Sequence, residues 1–313
     1  MGASRTDRLA RLLGAREPSL VALRDAARAL EERWDLASGR PPPRPARAAD
    51  DDPRAFLRWL LRMALATAAR ELRRSAGDPA LDRLGPLLEA GRPRPDPGLG
   101  QLAIDPASCL RRARAVDERS APGRVVLVGD DDGVSIALAL LGRSTHVLDL
   151  DERVLGWVSA AGRSLGARID VTALDVLRAS LPPPLRRSAV AAVTDPYRSV
   201  EDGLPFVLMA RAALSPHPGA RLFLADHPEW TAEPERFEAA LRAAALQEVE
   251  RLEDLHAYPL LPDAFADRRR AVVEVGVDRA WLDALIEATE ASSHLRVLRR
   301  LDRPGSGAHR LVE

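Results

Sequence analysis

Past residue 120, short apolar runs alternate with amphipathic stretches, and this alternation restricts the fold more than any other feature of the chain. VVLV at 125–128, THVLDL at 145–150, RIDVTAL at 168–174, SAVAAVT at 188–194 and ARLFLA at 220–225 read as strands. SIALALLG, ERVLGWVSAAGRSLG, GLPFVLMARAAL and EPERFEAALRAAAL read as the helices among them. Strands that are apolar on both faces need cover on both faces, so the pattern predicts an α/β fold with a doubly wound, mostly parallel sheet. Two late segments with no helix between them, RLEDLHAYPLL (251–261) and RRAVVEVGV (269–277), predict a closing antiparallel pair. AWLDALIEATEASSHLRVLRRL (280–301) reads as a terminal amphipathic helix or helix pair, and GSGAHRLVE as a frayed tail.

The first part of the chain has a different character. SLVALRDAARALEERW (19–34) and PRAFLRWLLRMALATAARELRR (53–74) carry apolar stripes at helical spacing, and Asp50–Asp52 supply cap and dipole-favourable charge to the second. The stretches GRPPPRPARAADDD (39–52) and GRPRPDPGLG (91–100) read as connectors. The expected division is a small, mostly helical domain over residues 1–94 and a catalytic domain with a C-terminal helical extension over 95–313.

In such a sheet ligands sit beyond the carboxyl ends of the strands. Those ends read Gly129-Asp130-Asp131-Asp132-Gly133, Asp149-Leu150-Asp151-Glu152, Asp175, Thr194-Asp195-Pro196-Tyr197 and Asp226-His227-Pro228. Asp149 stands twenty residues after Gly129, where an acidic side chain typically binds ribose hydroxyls. Each aspartate alone reads more readily as a helix cap or turn residue than as a ligand contact, and carboxylates at five successive strand ends make a convergent acidic crevice the better reading. His227 reads as a loop histidine, and arginine runs such as Arg111-Arg112 and Arg268-Arg269-Arg270 as solvated faces.

The sign of the charge selects the ligand. A pyrophosphate-binding turn uses further glycines so that backbone N–H groups reach the anion, whereas here Asp131 and Asp132 occupy those places. The chain contains no lysine, so a P-loop is excluded as well. A cationic adenosine derivative fits better than NAD, FAD or ATP. Decarboxylated S-adenosylmethionine presents an ammonium to this turn, which the aspartates attract; S-adenosylmethionine presents a carboxylate, which they repel. An acidic crevice also suits a polyamine.

Gly129–Asp132, Asp149–Glu152, Asp175 and Thr194-Asp195-Pro196 together resemble the branched-chain polyamine synthases, or N4-bis(aminopropyl)spermidine synthases, over Pro95 to about Trp230. That family's pattern is Gly-Asp-Asp-Asp after one strand, Asp-Ile-Asp-Glu after the next, an Asp after the third and Thr-Asp-Pro-Pro after the fourth. Tyr197 here replaces the second proline of the last element, which also resembles the Asp-Pro-Pro-Tyr of amino-methyltransferases with one proline deleted. The resemblance implies a Rossmann-like, class I methyltransferase-like catalytic domain behind a winged-helix-like N-terminal domain. It implies aminopropyl transfer from decarboxylated S-adenosylmethionine to a spermidine-type amine, giving branched polyamines. Asp195 would be catalytic, and Gly129, Asp130, Asp131, Asp132, Asp149, Asp151 and Asp175 would bind the cosubstrate. Asp175, Asp195 and Tyr197 would bind the amine, with no metal and no permanently bound cofactor. Competing readings are an S-adenosylmethionine-dependent methyltransferase and a non-catalytic metabolite sensor whose helical domain touches DNA.

The 46 basic and 46 acidic residues balance, which removes any bulk electrostatic case for nucleic acid or anionic membrane. The single cysteine, Cys109, excludes an intramolecular disulfide and a cysteine-cluster metal site, and reads as a small buried apolar residue. With no apolar run of membrane-spanning length and no secretory h-region, the expectation is a cytoplasmic protein whose partner is a small polyamine, with a homodimer allowed.

Overall fold

The computed structural model describes residues 4–33, 52–73, 78–196, 200–226, 233–260 and 265–301. Within these, the chain forms two compact units that are not contiguous in sequence. One comprises residues 1–79, 102–105 and 257–292; the other comprises 80–101, 106–256 and 293–313. The division expected from the sequence has its single cut at 94/95. Residues 80–101 group with the sheet-bearing unit, and residues 257–292 group with the N-terminal helices.

The first unit is helical where the sequence predicts it: α1 (Arg5–Leu13), α2 (Leu20–Arg33) and α3 (Pro53–Arg73). Ser4 and Asp7 form a reciprocal capping box that starts α1, and Gly14 in the left-handed region ends it. Phe56 and Trp59 of α3 stack at 5.7 Å between ring centroids and meet Phe265. The buried Glu290 carboxylate is paired with Arg5 and Arg70.

The second unit opens with α4 (Pro79–Glu89) and α5 (Pro106–Arg119), and continues as β1 (Val125–Val128), α6 (Val134–Leu140), β2 (Thr145–Asp149), α7 (Glu152–Ser164) and β3 (Ile169–Ala173). Then come β4 (Ala191–Thr194), α8 (Val200–Ala213), β5 (Arg221–Asp226), α9 (Pro234–Ala243) and β6 (Leu246–Pro259). After α10 (Ala266–Glu274) and α11 (Arg279–Ala288), β7 (Glu290–Arg300) completes the sheet. The strand order is β3-β2-β1-β4-β5-β7-β6, parallel from β3 through β5, with β7 antiparallel to β5. This is the doubly wound, class I methyltransferase-like Rossmann arrangement. Its core includes Val126, Val128, Leu148, Ala192, Leu222 and Leu224, all essentially without solvent contact. Each such Val or Leu side chain contributes roughly 1.5–3 kcal/mol by leaving water.

Two expectations for the late segments are corrected. RRAVVEVGV lies mostly in α10, which Gly276 follows in the left-handed region, so the β-branched residues there do not make a strand. The stretch 280–301 is helical only through Ala288 and then becomes β7, which sits inside the sheet with most of its residues buried. The closing antiparallel strands exist, but 290–300 supplies the second one. The predicted connector at 39–52 and the C-terminal tail fall almost wholly outside the described residues, and no described helix is long and apolar enough to cross a membrane.

Candidate functional site

Strand register assembles the site. β1 pairs β2 with Val128 opposite Leu148, and pairs β4 with Val128 opposite Thr194. The next residue on each strand path is Gly129, Asp149 or Asp195, so all three emerge at one level on the carboxyl edge. The Thr194 hydroxyl donates to the Val128 carbonyl at 2.9 Å, tying the ends of β1 and β4 together. The Gly129 N–H donates to Leu148 O at 2.8 Å and ties β1 to β2. A cavity opens beyond β1 and β4, lined by Gly129, Asp130, Asp131, Asp132, Arg112 and Asp195 among others.

The turn after β1 is built on two glycines with positive φ, Gly129 at 79° and Gly133 at 73°. Gly133 is also the N-cap of α6, and a β-carbon there would lie 2.6 Å from the Trp157 ring and 2.7 Å from Leu88. Both backbone angle and space therefore demand glycine. Between the two glycines the aspartates have separate duties. Asp130 is buried, and both its carboxyl oxygens accept from the Ser135 N–H at 3.2 and 3.3 Å. Burial pushes its carboxyl up to about 8, against the pull of those Ser135 bonds. Asp132 is buried against Arg112, 2.7 Å away. Asp131 is half-buried, and its carboxylate hydrogen-bonds to no described residue. Burial raises its proton affinity well above the ordinary carboxylate value, helped by the charges of Asp132, Asp195 and Asp149. Its carbonyl oxygen accepts from Arg92 Nε and Nη2 at 3.2 and 3.0 Å, while the Arg92 guanidinium sits 5.5 Å above the Trp157 ring.

Asp149 braces the neighbouring loops. One carboxylate oxygen accepts from the Asp130 N–H at 3.0 Å and the other from the Asp151 N–H at 2.9 Å. Each oxygen keeps acceptor capacity for a further donor. Burial raises its proton affinity, and those backbone bonds oppose the rise. Asp151 caps α7 through the Arg153 N–H and is also held by the Arg153 guanidinium and Gln101. The Arg153 bond, against some burial, lowers its carboxyl to about 2. Its cap reading is the one realised in the fold.

The structure brings Gly129, Asp130, Asp131, Asp132, Asp149 and Asp195 together. Asp175 follows β3, closes its own turn through the Leu177 N–H at 3.0 Å, and does not line the cavity beyond β1 and β4. Asp226 at the end of β5 pairs with the buried Arg296 at 3.3 Å. Tyr197 and His227 lie outside the described residues. Cys109 is buried, with its thiol against the Gly133 carbonyl and its proton affinity raised by burial, and so behaves as the small core residue expected. Among the described residues no group of three or more His, Cys, Asp or Glu side chains is placed to hold a metal ion.

Arg112 corrects the sequence reading. Instead of belonging to a solvated run, it is 2% exposed on α5 and contacts Asp132 Oδ2 at 2.7 Å, Asp195 Oδ2 at 2.9 Å and His256 Nε2 at 2.8 Å. His256 Nδ1 in turn meets Ser293 Oγ at 2.7 Å. The signal lay in helical phase: Cys109, Arg112, Ala113 and Val116 fall at i, i+3, i+4 and i+7, on the apolar stripe of α5. Arg92, Trp157, His256 and Ser293 carried no comparable signal.

Residues 87–223 match the model of the branched-chain polyamine synthase A C-terminal domain. The N(4)-bis(aminopropyl)spermidine synthase of Thermococcus kodakarensis is 32% identical over 126 residues, which span 38% of this chain and only 36% of that protein. Two solved structures share the fold. One is the C9 mutein of the Thermus thermophilus branched-chain polyamine synthase, in complex with N4-aminopropylspermidine and 5'-methylthioadenosine (TM-score 0.61, 19% identity, 91% of this chain and 94% of that one). The other is the Thermus thermophilus synthase itself with the same two molecules (TM-score 0.58, 20% identity, 96% of this chain and 88% of that one).

Proposed function

We propose, from the shown resemblance of residues 87–223 to the branched-chain polyamine synthases, that the chain is an aminopropyltransferase acting from decarboxylated S-adenosylmethionine onto a spermidine-type amine. The relatives are named as polyamine synthases, and two of the solved ones hold an aminopropylspermidine beside methylthioadenosine. The observation that carries the reading is the acidic cavity lined by Gly129, Asp131 and Asp195, where Asp131 keeps a carboxylate uncommitted among the described residues, with Asp149 emerging at the same level on the neighbouring strand.

The reaction is an in-line displacement. The amine nitrogen attacks the carbon next to the sulfonium, the C–S bond breaks with its electrons on sulfur, and 5'-methylthioadenosine leaves. The sulfonium is already a good leaving group, so the protein's tasks are orientation and removal of the amine proton. Asp195 binds the amine and accepts that proton. Asp149 receives the ribose hydroxyls on the acceptor capacity left beside its two backbone bonds. Of the three turn aspartates, Asp130 is engaged by Ser135 and Asp132 by Arg112, which leaves Asp131 for the donor's ammonium tail. Transfer to the secondary nitrogen of spermidine gives a branched product.

The test is incubation with each donor separately. Mass spectrometry should find 5'-methylthioadenosine and aminopropylated spermidine from decarboxylated S-adenosylmethionine, and no adenosylhomocysteine from S-adenosylmethionine. The reverse outcome makes the protein a methyltransferase.

A further inference from the structure

We propose that Arg112 is the positioning residue of this site: its guanidinium binds the carboxylates of Asp132 and Asp195 into one unit, and the His256–Ser293 pair fixes the plane in which it does so. The inference rests on the functional reading above.

The geometry uses three of the guanidinium nitrogens for three partners. Nη1 takes Asp132 Oδ2 at 2.7 Å, Nη2 takes Asp195 Oδ2 at 2.9 Å, and Nε takes His256 Nε2 at 2.8 Å. A guanidinium has donors only, so His256 Nε2 must be an acceptor. The ring proton therefore sits on Nδ1 and is given to Ser293 Oγ, 2.7 Å away. Arg112, His256 and Ser293 are all buried. A buried cation is costly unless paired, and α5 places this one where its helical phase calls for an apolar side chain. What it secures is the ionisation and the aim of two carboxylates that sit among Asp130, Asp131 and Asp149, with Arg92 also beside Asp132. Without the shared counter-ion, Asp132 and Asp195 would be crowded anions, and one of them would take up a proton. An Asp195 that already holds a proton cannot receive one from the amine. Lysine cannot replace the fork, because an ammonium is a point charge without the planar geometry that serves three fixed partners.

The experiment is a carboxyl 13C NMR titration of aspartate-labelled full-length protein, with the Asp195 signal assigned through Asp195→Asn. In Arg112→Gln the Asp195 midpoint should rise by about 1–3 pH units, and the acid limb of the aminopropyl-transfer rate should move up with it. Arg112→Lys should return the midpoint toward the wild-type value without restoring the rate, which separates charge from geometry. An unchanged Asp195 midpoint in folded Arg112→Gln overturns the proposal. If that variant does not fold, His256→Phe carries the test: loss of the acceptor should shift the Asp195 midpoint upward, and no shift overturns the proposal. Should the wild type show no turnover of decarboxylated S-adenosylmethionine, the functional reading fails while the titration still decides the role of Arg112.

Discussion

Replacing Gly133 with alanine puts two separable demands on the turn that carries the aspartates. The first is conformational: Gly133 has φ 73° and ψ 27°, and an L-residue in that region costs about 1–2 kcal/mol. The second is steric. The new methyl would stand 2.6 Å from Trp157 Cη2, 2.7 Å from Leu88 Cδ2 and 3.3 Å from Trp157 Cζ2. The Leu88 tip can turn aside, but Trp157 is a rigid ring only 5% exposed, so overpacking adds about 1–3 kcal/mol. The sum, about 2–5 kcal/mol, corresponds to a fall in Tm of roughly 5–15 °C at the sensitivity of a chain this large. The effect should also reach the site, because Trp157 supports Arg92 and Arg92 holds the Asp131 carbonyl. Thermal melts followed by circular dichroism would measure the first effect, and calorimetric binding of 5'-methylthioadenosine the second. Making the same change in a Leu88→Ala background should lower its cost by about 0.5 kcal/mol or more, since one of the two collisions is gone. An alanine variant that melts with the wild type would refute the argument. An equal cost in both backgrounds would remove Leu88 from the steric half and leave Trp157 to carry it.

Three further outcomes are expected. Asp195→Asn should lose about 10²–10⁴-fold in kcat for aminopropyl transfer, because an amide cannot accept the amine proton; retained turnover in a rate assay would remove Asp195 from the mechanism. Asp130 has a folded-state proton affinity above its unfolded value, so its stabilising effect is complete below about pH 4 and is lost as pH rises through about 8. Asp130→Asn should therefore gain stability over wild type, of order a few kcal/mol, at pH 8.5 but not at pH 4, and parallel melts at the two pH values check this. Asp151 is shifted the other way, so its contribution is present above about pH 4 and fades as pH falls toward 2. Asp151→Ala should cost about 0.5–2 kcal/mol in urea unfolding at pH 7 through loss of the α7 cap, and an unchanged midpoint would count against that cap.

Much of the sheet and part of the site were legible in the sequence, and the limits have physical causes. β1, β2, β4 and β5 are apolar on both faces because helices cover both, which is the condition that writes a strand plainly into a sequence. The late elements were misread because β7 earns its place from burial between β5 and β6, whereas its segment, SSHLRVLRR, has no clean two-residue period. The turn aspartates were visible from spacing, but their division of labour was not. Whether an aspartate caps a helix, pairs with arginine or faces a ligand depends on what lies across from it. Arg112 shows the same limit, since its partners Asp195 and His256 are 83 and 144 residues away.

The crowding of Asp130, Asp131, Asp132, Asp149 and Asp195 also bears on how the protein responds to what it binds. Folding assembles these carboxyls; burial holds Asp130 and Asp131 toward their protonated forms, while Arg112 pairs with Asp132 and Asp195 and Arg92 lies beside Asp132. A polycation entering beside them would favour their ionised forms. On the proposed function, such a ligand would stabilise the chain in proportion to the logarithm of its concentration.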